Sequence, residues 1–98
     1  EVESALLTHP AVAEAAVVGK PDATRGQLIK AFVVLKPGFA DSQALRDAMV
    51  ATARREVGAH AFPREIEIVA QLPKTTTGKI QRFVLRQQEA SSQTGTKP

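Results

Sequence analysis

Two apolar segments separated by a short polar stretch most constrain the fold of this chain. Residues 12–18 and 28–35 are rich in valine, isoleucine and alanine, and β-branched residues favour strands. The stretch between them contains Pro21-Asp22 and Gly26, which are typical of turns. We therefore predict two strands that pair with each other across a loop spanning residues 19–26.

One helix is predicted before this pair of strands in the sequence, and a second helix is predicted after it. Residues 1–8 have apolar side chains at helical spacing, and the helix is expected to end before Pro10, because a residue that precedes proline disfavours the helical conformation. The second helix is predicted from Asp41 or Ser42, either of which can cap it, to Val57. Gly58 is the expected C-cap.

The C-terminal third predicts one more strand and one more helix. Residues 65–69 read Glu-Ile-Glu-Ile-Val, the alternation of a half-buried strand. A last helix is expected from about Ile80 to Glu89, with Phe83 among its inward-facing residues. The order α-β-β-α-β-α predicts an α+β fold with a small, mostly antiparallel sheet flanked by helices.

The chain of 98 residues fits a single domain, predicted over residues 1–90. Residues 91–98 are polar and are predicted to form a disordered tail. The sequence begins at Glu1 inside an expected helix, so we interpret it as part of a longer protein. There is no cysteine, which excludes disulfides and suits a reducing compartment, and we expect a cytoplasmic protein. No apolar run approaches the ~18 residues that a membrane span needs.

Basic residues are concentrated near the C-terminus of a chain whose net charge is +3. Residues 71–98 contain Glu89 as their one acidic residue and five basic ones: Lys74, Lys79, Arg82, Arg86 and Lys97. On charge alone, this segment either binds an anionic ligand or forms a solvated helix face.

The polar loop at residues 73–79 is the most informative stretch for chemistry. It holds three threonines, a glycine and two lysines directly before the last predicted helix. Lys79, at its end, has a flexible stem and an ammonium suited to a negative charge that develops on a phosphate. A P-loop is excluded, because the motif requires glycine where Pro73 stands and serine or threonine where Ile80 stands.

The same stretch resembles the last core motif of adenylate-forming enzymes, Pro-Lys-Thr-x-x-Gly-Lys-Ile-x-Arg followed by Leu-Arg. Every fixed position of that motif is present in residues 73–86. The resemblance extends over about residues 1–90 through further matching segments: Glu1-Val2-Glu3, His9-Pro10-Ala11-Val12, Glu14 to Gly19, Pro21-Asp22, Gly26, Lys30 to Val33, and Pro63-Arg64 followed by Ile66. The sequence of residues 18–26 and 79–82 is most similar to that of medium-chain acyl-CoA synthetases. Acetyl-CoA synthetases and benzoate-type ligases are the next most similar.

The resemblance implies a ligase that turns a carboxylate, ATP and CoA into acyl-CoA, AMP and pyrophosphate. ATP, with its magnesium, is expected to bind mainly to an N-terminal domain outside this chain, and the small domain to rotate between the two half-reactions. Lys79 is the implied catalytic residue of acyl-adenylate formation. Arg25 is implied to approach the phosphates of CoA, and Gly78 to contact a cofactor. The fragment is expected to be inactive alone.

Other polar residues carry weaker expectations. Arg64 is read as structural or as a weak contact to CoA. The resemblance leads us to expect tyrosine at position 62, where Phe62 lacks the hydroxyl. His9 and His60 have no spaced partner, so no metal site is predicted. Glu65 and Glu67 would share one side of a strand, either as an exposed face or as paired carboxylates for acid–base chemistry.

Two non-ligase functions stay open at this point: a basic nucleic-acid-binding module and an interaction module. The sequence has no tyrosine or tryptophan and no interleaved aromatic-basic pattern, which speaks against nucleic acid as the ligand. The acyl substrate cannot be read from this segment, because the pocket that selects it is expected in the N-terminal domain.

Overall fold

A computed structural model describes residues 2–24, 26–58 and 62–95. Its elements follow the predicted order: α1 (Val2–Leu7), β1 (Val12–Asp22), β2 (Gly26–Leu35), α2 (Gln43–Val57), β3 (Glu65–Ile68) and α3 (Arg82–Gly95). The predicted α+β fold, a small sheet flanked by helices, is confirmed.

The sheet is mixed, with the strand order β1-β2-β3. β1 and β2 form a long antiparallel hairpin, whereas the four-residue β3 lies parallel to β2. The parallel pairing arises because α2 carries the chain back across the sheet between the two strands, as parallel neighbours require. Most of the strand pairing is therefore antiparallel, and the parallel edge was not predicted from the sequence.

The hairpin is longer than predicted. β1 continues through Gly19 and Pro21, and β2 begins at Gly26, so the connection contains residues 23–25 in place of the expected loop over 19–26. A proline is tolerated there because β1 lies at the edge of the sheet. Gly26 has φ of +80°, a backbone conformation that favours glycine and lets the chain enter β2 directly.

The alternation of side chains along the strands produces two apolar clusters, one on each face of the sheet. One face packs against α1 and α2 in a cluster of nine buried residues: Ala5, Leu6, Ala11, Val12, Ala15, Ala31, Val33, Met49 and Ala53. The other face packs against α3 and the segment before it, in a smaller cluster of Ala16, Val18, Phe32, Leu72 and Leu85. The glutamates of β3 belong to this second face, while Ile66 and Ile68 pack toward the first.

The second helix has the caps that the sequence predicts. Ser42 is the N-cap and accepts the backbone N–H of Leu45 at 3.1 Å. Gly58, with φ of +88°, ends the helix and donates its N–H to the Arg54 carbonyl at 2.8 Å.

The last helix differs from its prediction in orientation and length. Phe83 is 51% exposed, so its predicted inward position is wrong. Over residues 82–89 of this helix, the buried side chains are those of Leu85 and Glu89, one turn apart. The helix begins at Arg82 and continues to Gly95, past the predicted end at Glu89 and into the predicted disordered tail. Helix extension costs little per residue once a turn exists, and Ala90, the residue that follows Glu89, is the best helix former. Residues 96–98 lie outside the described residues.

Within the described part of the chain, no helix is both long and apolar enough to cross a membrane.

Candidate functional site

Residues 73–81, here called the lysine loop, form a closed turn. Lys74 and Ile80 face each other in an antiparallel bridge. Just outside the bridge, the N–H of Gln81 donates to the Pro73 carbonyl at 2.9 Å, and inside it the Thr75 N–H donates to the Lys79 carbonyl at 2.8 Å. The polar composition that predicted an exposed loop therefore produces a hydrogen-bonded one.

Thr75 and Gly78 shape the tip of the lysine loop. The Thr75 carbonyl accepts the N–H of Gly78 at 2.9 Å, and its Oγ1 accepts the N–H of Lys79 at 3.1 Å. The hydroxyls of Thr75 and Thr77 are 3.0 Å apart. Gly78 has φ of +90°, a conformation that side-chain-bearing residues disfavour. This network fixes the backbone from which Lys79 projects.

Lys79 lies exposed at the end of this turn. Among the residues that the structure describes, no ion pair or side-chain hydrogen bond involves its ammonium, whereas its own N–H and C=O are both bonded to Thr75. The loop thus presents an exposed, positively charged group on a hydrogen-bonded backbone.

Both ends of the lysine loop are attached to the body of the domain. The ammonium of Lys74 contacts the carboxylate of Glu14 on β1 at 2.8 Å. Leu72 is buried in the α3-side cluster, and Ile80 packs against it. Apolar anchors before and after the turn hold it against the sheet.

A third attachment joins the start of α3 to α1. The guanidinium of Arg82 forms two hydrogen bonds to the carboxylate of Glu3, one of them Nε to Oε2 at 2.8 Å. The same oxygen of Glu3 accepts the N–H of Val17 at 2.9 Å. Burial raises the pKa of Glu3, but the bonds from Arg82 and Val17 outweigh it and lower that pKa below the usual 4.5. The Glu3 carboxylate likewise raises the pKa of Arg82.

Of the remaining predicted site residues, Arg25 and His60 lie outside the described residues. His9 accepts the N–H of Ala11 on Nδ1 at 3.1 Å, which gives it a local structural role. Arg64 is exposed, and its guanidinium carbon lies 4.8 Å from the centre of the Phe62 ring.

The Phe62 ring also contacts a residue that the sequence reasoning missed. The guanidinium carbon of Arg54, near the end of α2, lies 5.3 Å from the ring centre. One aromatic ring therefore gathers two exposed guanidiniums at the junction of α2 and β3. The one sequence signal that could have found Arg54 is its position in the last turn of a helix that leads toward Phe62.

The two glutamates of β3 belong to an ion cluster that the sequence analysis did not foresee. Lys30, whose side chain is 9% exposed, contacts Glu67 at 2.8 Å and also contacts the buried Glu89 of α3. Lys20 contacts Glu65 at 2.8 Å and lies 3.8 Å from Glu89. Burial lowers the pKa of Lys30, but the carboxylates of Glu67 and Glu89 outweigh it and raise that pKa above its usual value. Glu65 and Glu67 thus each pair with a lysine, an arrangement that favours a structural role over that of paired carboxylates for acid–base chemistry.

A groove of about 470 Å³ separates α2 from β3. Its charged side chains have both signs, with Lys30, Arg46 and Arg64 facing four carboxylates, so its charges largely compensate. No residue of the lysine loop lines it.

Comparisons with known proteins agree with the resemblance found in the sequence. The family described as "AMP-binding enzyme C-terminal domain" matches residues 1–79. The acetyl-coenzyme A synthetase of Bacillus subtilis is 50% identical over 97% of this chain, and the human mitochondrial acyl-coenzyme A synthetase ACSM1 is 50% identical over 91% of it. The chain spans only 17% and 16% of these two relatives.

A solved structure supports the same relationship at the level of the fold. The crystal structure of an acyl-CoA synthetase from Brucella canis superposes with a TM-score of 0.91 and 54% identity, over 94% of this chain and 17% of that one. The acyl-CoA synthetases that the sequence resembles are thus among its relatives, and each of these matches covers one small part of a longer protein.

Proposed function

Because the chain belongs to the AMP-binding enzyme C-terminal domain family, we propose that it is the mobile C-terminal domain of an ATP-dependent acyl-CoA synthetase. The observation that carries this proposal is the exposed ammonium of Lys79 on a hydrogen-bonded loop. Relatives that are named acyl-CoA and acetyl-CoA synthetases support the reaction class. The acyl substrate is left open, because the pocket that selects it belongs to the rest of the enzyme.

Lys79 supplies positive charge in the first half-reaction. A carboxylate oxygen of the acyl substrate attacks the α-phosphorus of ATP, the bond to pyrophosphate breaks, and acyl-adenylate forms. The ammonium bridges the carboxylate and the α-phosphate, where negative charge collects in the transition state. The backbone hydrogen bonds of the lysine loop limit how far the ammonium must move as the reaction proceeds.

The second half-reaction requires the domain to bind CoA. The thiol of CoA attacks the carbonyl carbon of the adenylate, which releases AMP and a proton and forms the thioester. We assign Arg25 to the phosphates of CoA and Gly78 to close approach of a cofactor. Beyond the two neighbouring residues of the chain, no atom lies within 4 Å of a Cβ added at Gly78, which is consistent with an open surface. The two guanidiniums on Phe62 are further cations suited to a phosphate.

The remaining parts of the proposal concern the rest of the enzyme. The functional domain comprises residues 1–90, and an N-terminal domain of the same protein binds ATP and its magnesium. The small domain rotates against that partner between half-reactions, with acyl-adenylate and CoA as its ligands. The isolated chain has no ligase activity, and the enzyme works in the cytoplasm without nucleic acid as a ligand.

The test is to assay the two half-reactions of the full-length enzyme separately. Lys79→Ala is expected to slow acyl-adenylate formation by at least ~100-fold, the usual loss when one positioned electrostatic donor is removed. Thioester formation from preformed acyl-adenylate should be much less affected, and acetylation of Lys79 should mimic the substitution because it removes the charge. Equal losses in both half-reactions would contradict the assignment.

Arg25 is tested by the dependence of the reaction on CoA. Arg25→Ala in the full-length enzyme should raise the CoA concentration needed for half-maximal rate, because a charge-assisted hydrogen bond to phosphate contributes about 1.5–3 kcal/mol. Adenylation should stay near normal. Arg46→Ala, which removes a half-buried arginine of α2 that is paired with Asp41, serves as the control. A fall in adenylation with no change in CoA dependence would show the assignment to be wrong.

A further inference from the structure

The carboxylate of Glu3 joins three parts of the domain that are distant in sequence. It belongs to the first turn of α1, it bonds the N–H of Val17 in β1, and it forms two bonds to Arg82 at the start of α3. β1 is an edge strand, and α1 and α3 pack on opposite faces of the sheet. The bridge therefore passes around the β1 edge and ties the two faces together.

The position of this bridge relative to Lys79 gives it a role. Arg82 follows Lys79 by three residues, and Gln81 between them is bonded to Pro73 at the other side of the loop. The Arg82 side chain is 38% exposed and that of Glu3 is 26% exposed, so the pair lies outside both apolar clusters. Its two-point geometry fixes the direction of the chain where the lysine loop enters α3, beyond what a single charge contact would do.

We infer that Glu3 and Arg82 are positioning residues that fix the lysine loop, and with it the ammonium of Lys79, relative to α1. This rests on the proposed function of Lys79. Neither residue touches the reacting atoms: they act through the backbone of the lysine loop. The pair sets where the ammonium stands when the carboxylate attacks ATP, and it has no part in the attack of CoA on the adenylate.

The test compares Glu3→Gln, Arg82→Gln and the double variant in the full-length enzyme, with both half-reactions assayed. Glu3→Gln keeps an oxygen that can accept the Val17 N–H, so it isolates the loss of the charged pair. Each single variant should lower the adenylation rate by roughly 10- to 100-fold, as expected when a reacting group is misplaced by about 1 Å. Thioester formation from preformed acyl-adenylate should be unchanged. The double variant should lose no more than the singles, because either change breaks the same pair.

Two further variants separate positioning from general stability. Arg82→Lys keeps the charge without the two-point contact and should lose less adenylation activity than Arg82→Gln. Arg46→Gln removes a half-buried arginine that also contacts both oxygens of a carboxylate, that of Asp41, and should leave both half-reactions unchanged.

The outcomes that would overturn the inference are distinct from those that would overturn the proposed function. Undiminished adenylation, equal losses in both half-reactions, additive losses in the double variant, or failure of Glu3→Gln to fold would each reject a positioning role. Lys79→Ala is measured beside them: if it lowers adenylation while Glu3→Gln does not, only this inference fails. If Lys79→Ala itself leaves adenylation intact, the proposed function fails.

Discussion

Three lysines of this domain show how surroundings decide what the same side chain does. Lys79 is exposed and has no ion pair among the described residues, so its ammonium is available to a ligand. Lys74 is exposed but paired with Glu14, a contact of the kind that contributes up to about 1 kcal/mol. Lys30 is buried and surrounded by carboxylates, so its charge is engaged within the fold and is not free for chemistry.

The conformation of Gly78 predicts a site-specific effect of adding one methyl group. Gly78→Ala should destabilise the lysine loop by about 1 kcal/mol or somewhat more, because φ of +90° is disfavoured once a Cβ is present. Adenylation by the full-length enzyme should fall severalfold with it. Gly38→Ala is the matched control, since Gly38 has φ of +94° and equally open surroundings in a different loop. Similar losses of adenylation in the two variants would contradict a specific role for the lysine loop.

At the scale of elements, α3 combines three functions along its length. Its first residue, Arg82, anchors the lysine loop to α1. Leu85, in its first turn, fills the smaller apolar cluster. Glu89, a turn further on, meets Lys20 and Lys30 above the sheet. The helix therefore needs to remain intact at least as far as Glu89 to hold the loop in place.

Truncation of the chain tests where α3 stops contributing. Deleting residues 91–98 should leave the melting temperature within a few degrees, because Glu89 remains. Deleting residues 87–98 removes Glu89 and strips Lys30 of its buried partner, which costs about 3 kcal/mol or more and should lower the melting temperature by roughly 10 °C or more. Thermal unfolding followed by circular dichroism measures both. A large drop on removing residues 91–98 alone would show that the end of the helix packs against the domain.

At the scale of the whole molecule, ion pairs connect helices and strands that the two apolar clusters do not connect to each other. The two clusters lie on opposite faces of a three-stranded sheet, and such a small core is only marginally stable. The Glu3–Arg82 pair closes the β1 edge, and the Lys30 cluster holds α3 to β2 and β3. These contacts make the stability of the domain depend on pH.

The dependence on acid follows from the lowered pKa of Glu3. A carboxyl whose folded-state pKa is depressed contributes stability above its unfolded pKa of about 4.5, and this is lost as the pH falls through the lower folded value. Near neutral pH, the free energy of unfolding of the chain should therefore be about 1 kcal/mol higher than that of its Glu3→Gln variant. That advantage should shrink below about pH 4.5. Urea unfolding of both proteins across this range measures it, and an advantage that persists unchanged at about pH 2 would contradict the lowered pKa.

The sequence by itself determined the local structure and the candidate catalytic residue. β-branched runs, caps and apolar spacing depend on neighbours in the chain, so the six elements, the caps of α2 and the turn around Gly78 could be predicted. Lys79 could be singled out for a similar reason, since the motif that carries it is continuous in sequence. The strand ends were missed because Pro21 reads as a break until β1 is known to be an edge strand.

Only the tertiary structure decided the pairings between distant residues. The parallel alignment of β3, the burial of Lys30 with Glu89 and the bond between Glu3 and Arg82 each join segments tens of residues apart. No local pattern encodes them, because the face of α3 that turns inward is set by the surface available on the sheet. Phe83 shows this limit: its helical spacing suited the core, yet Leu85 and Glu89 occupy the buried face and leave Phe83 exposed.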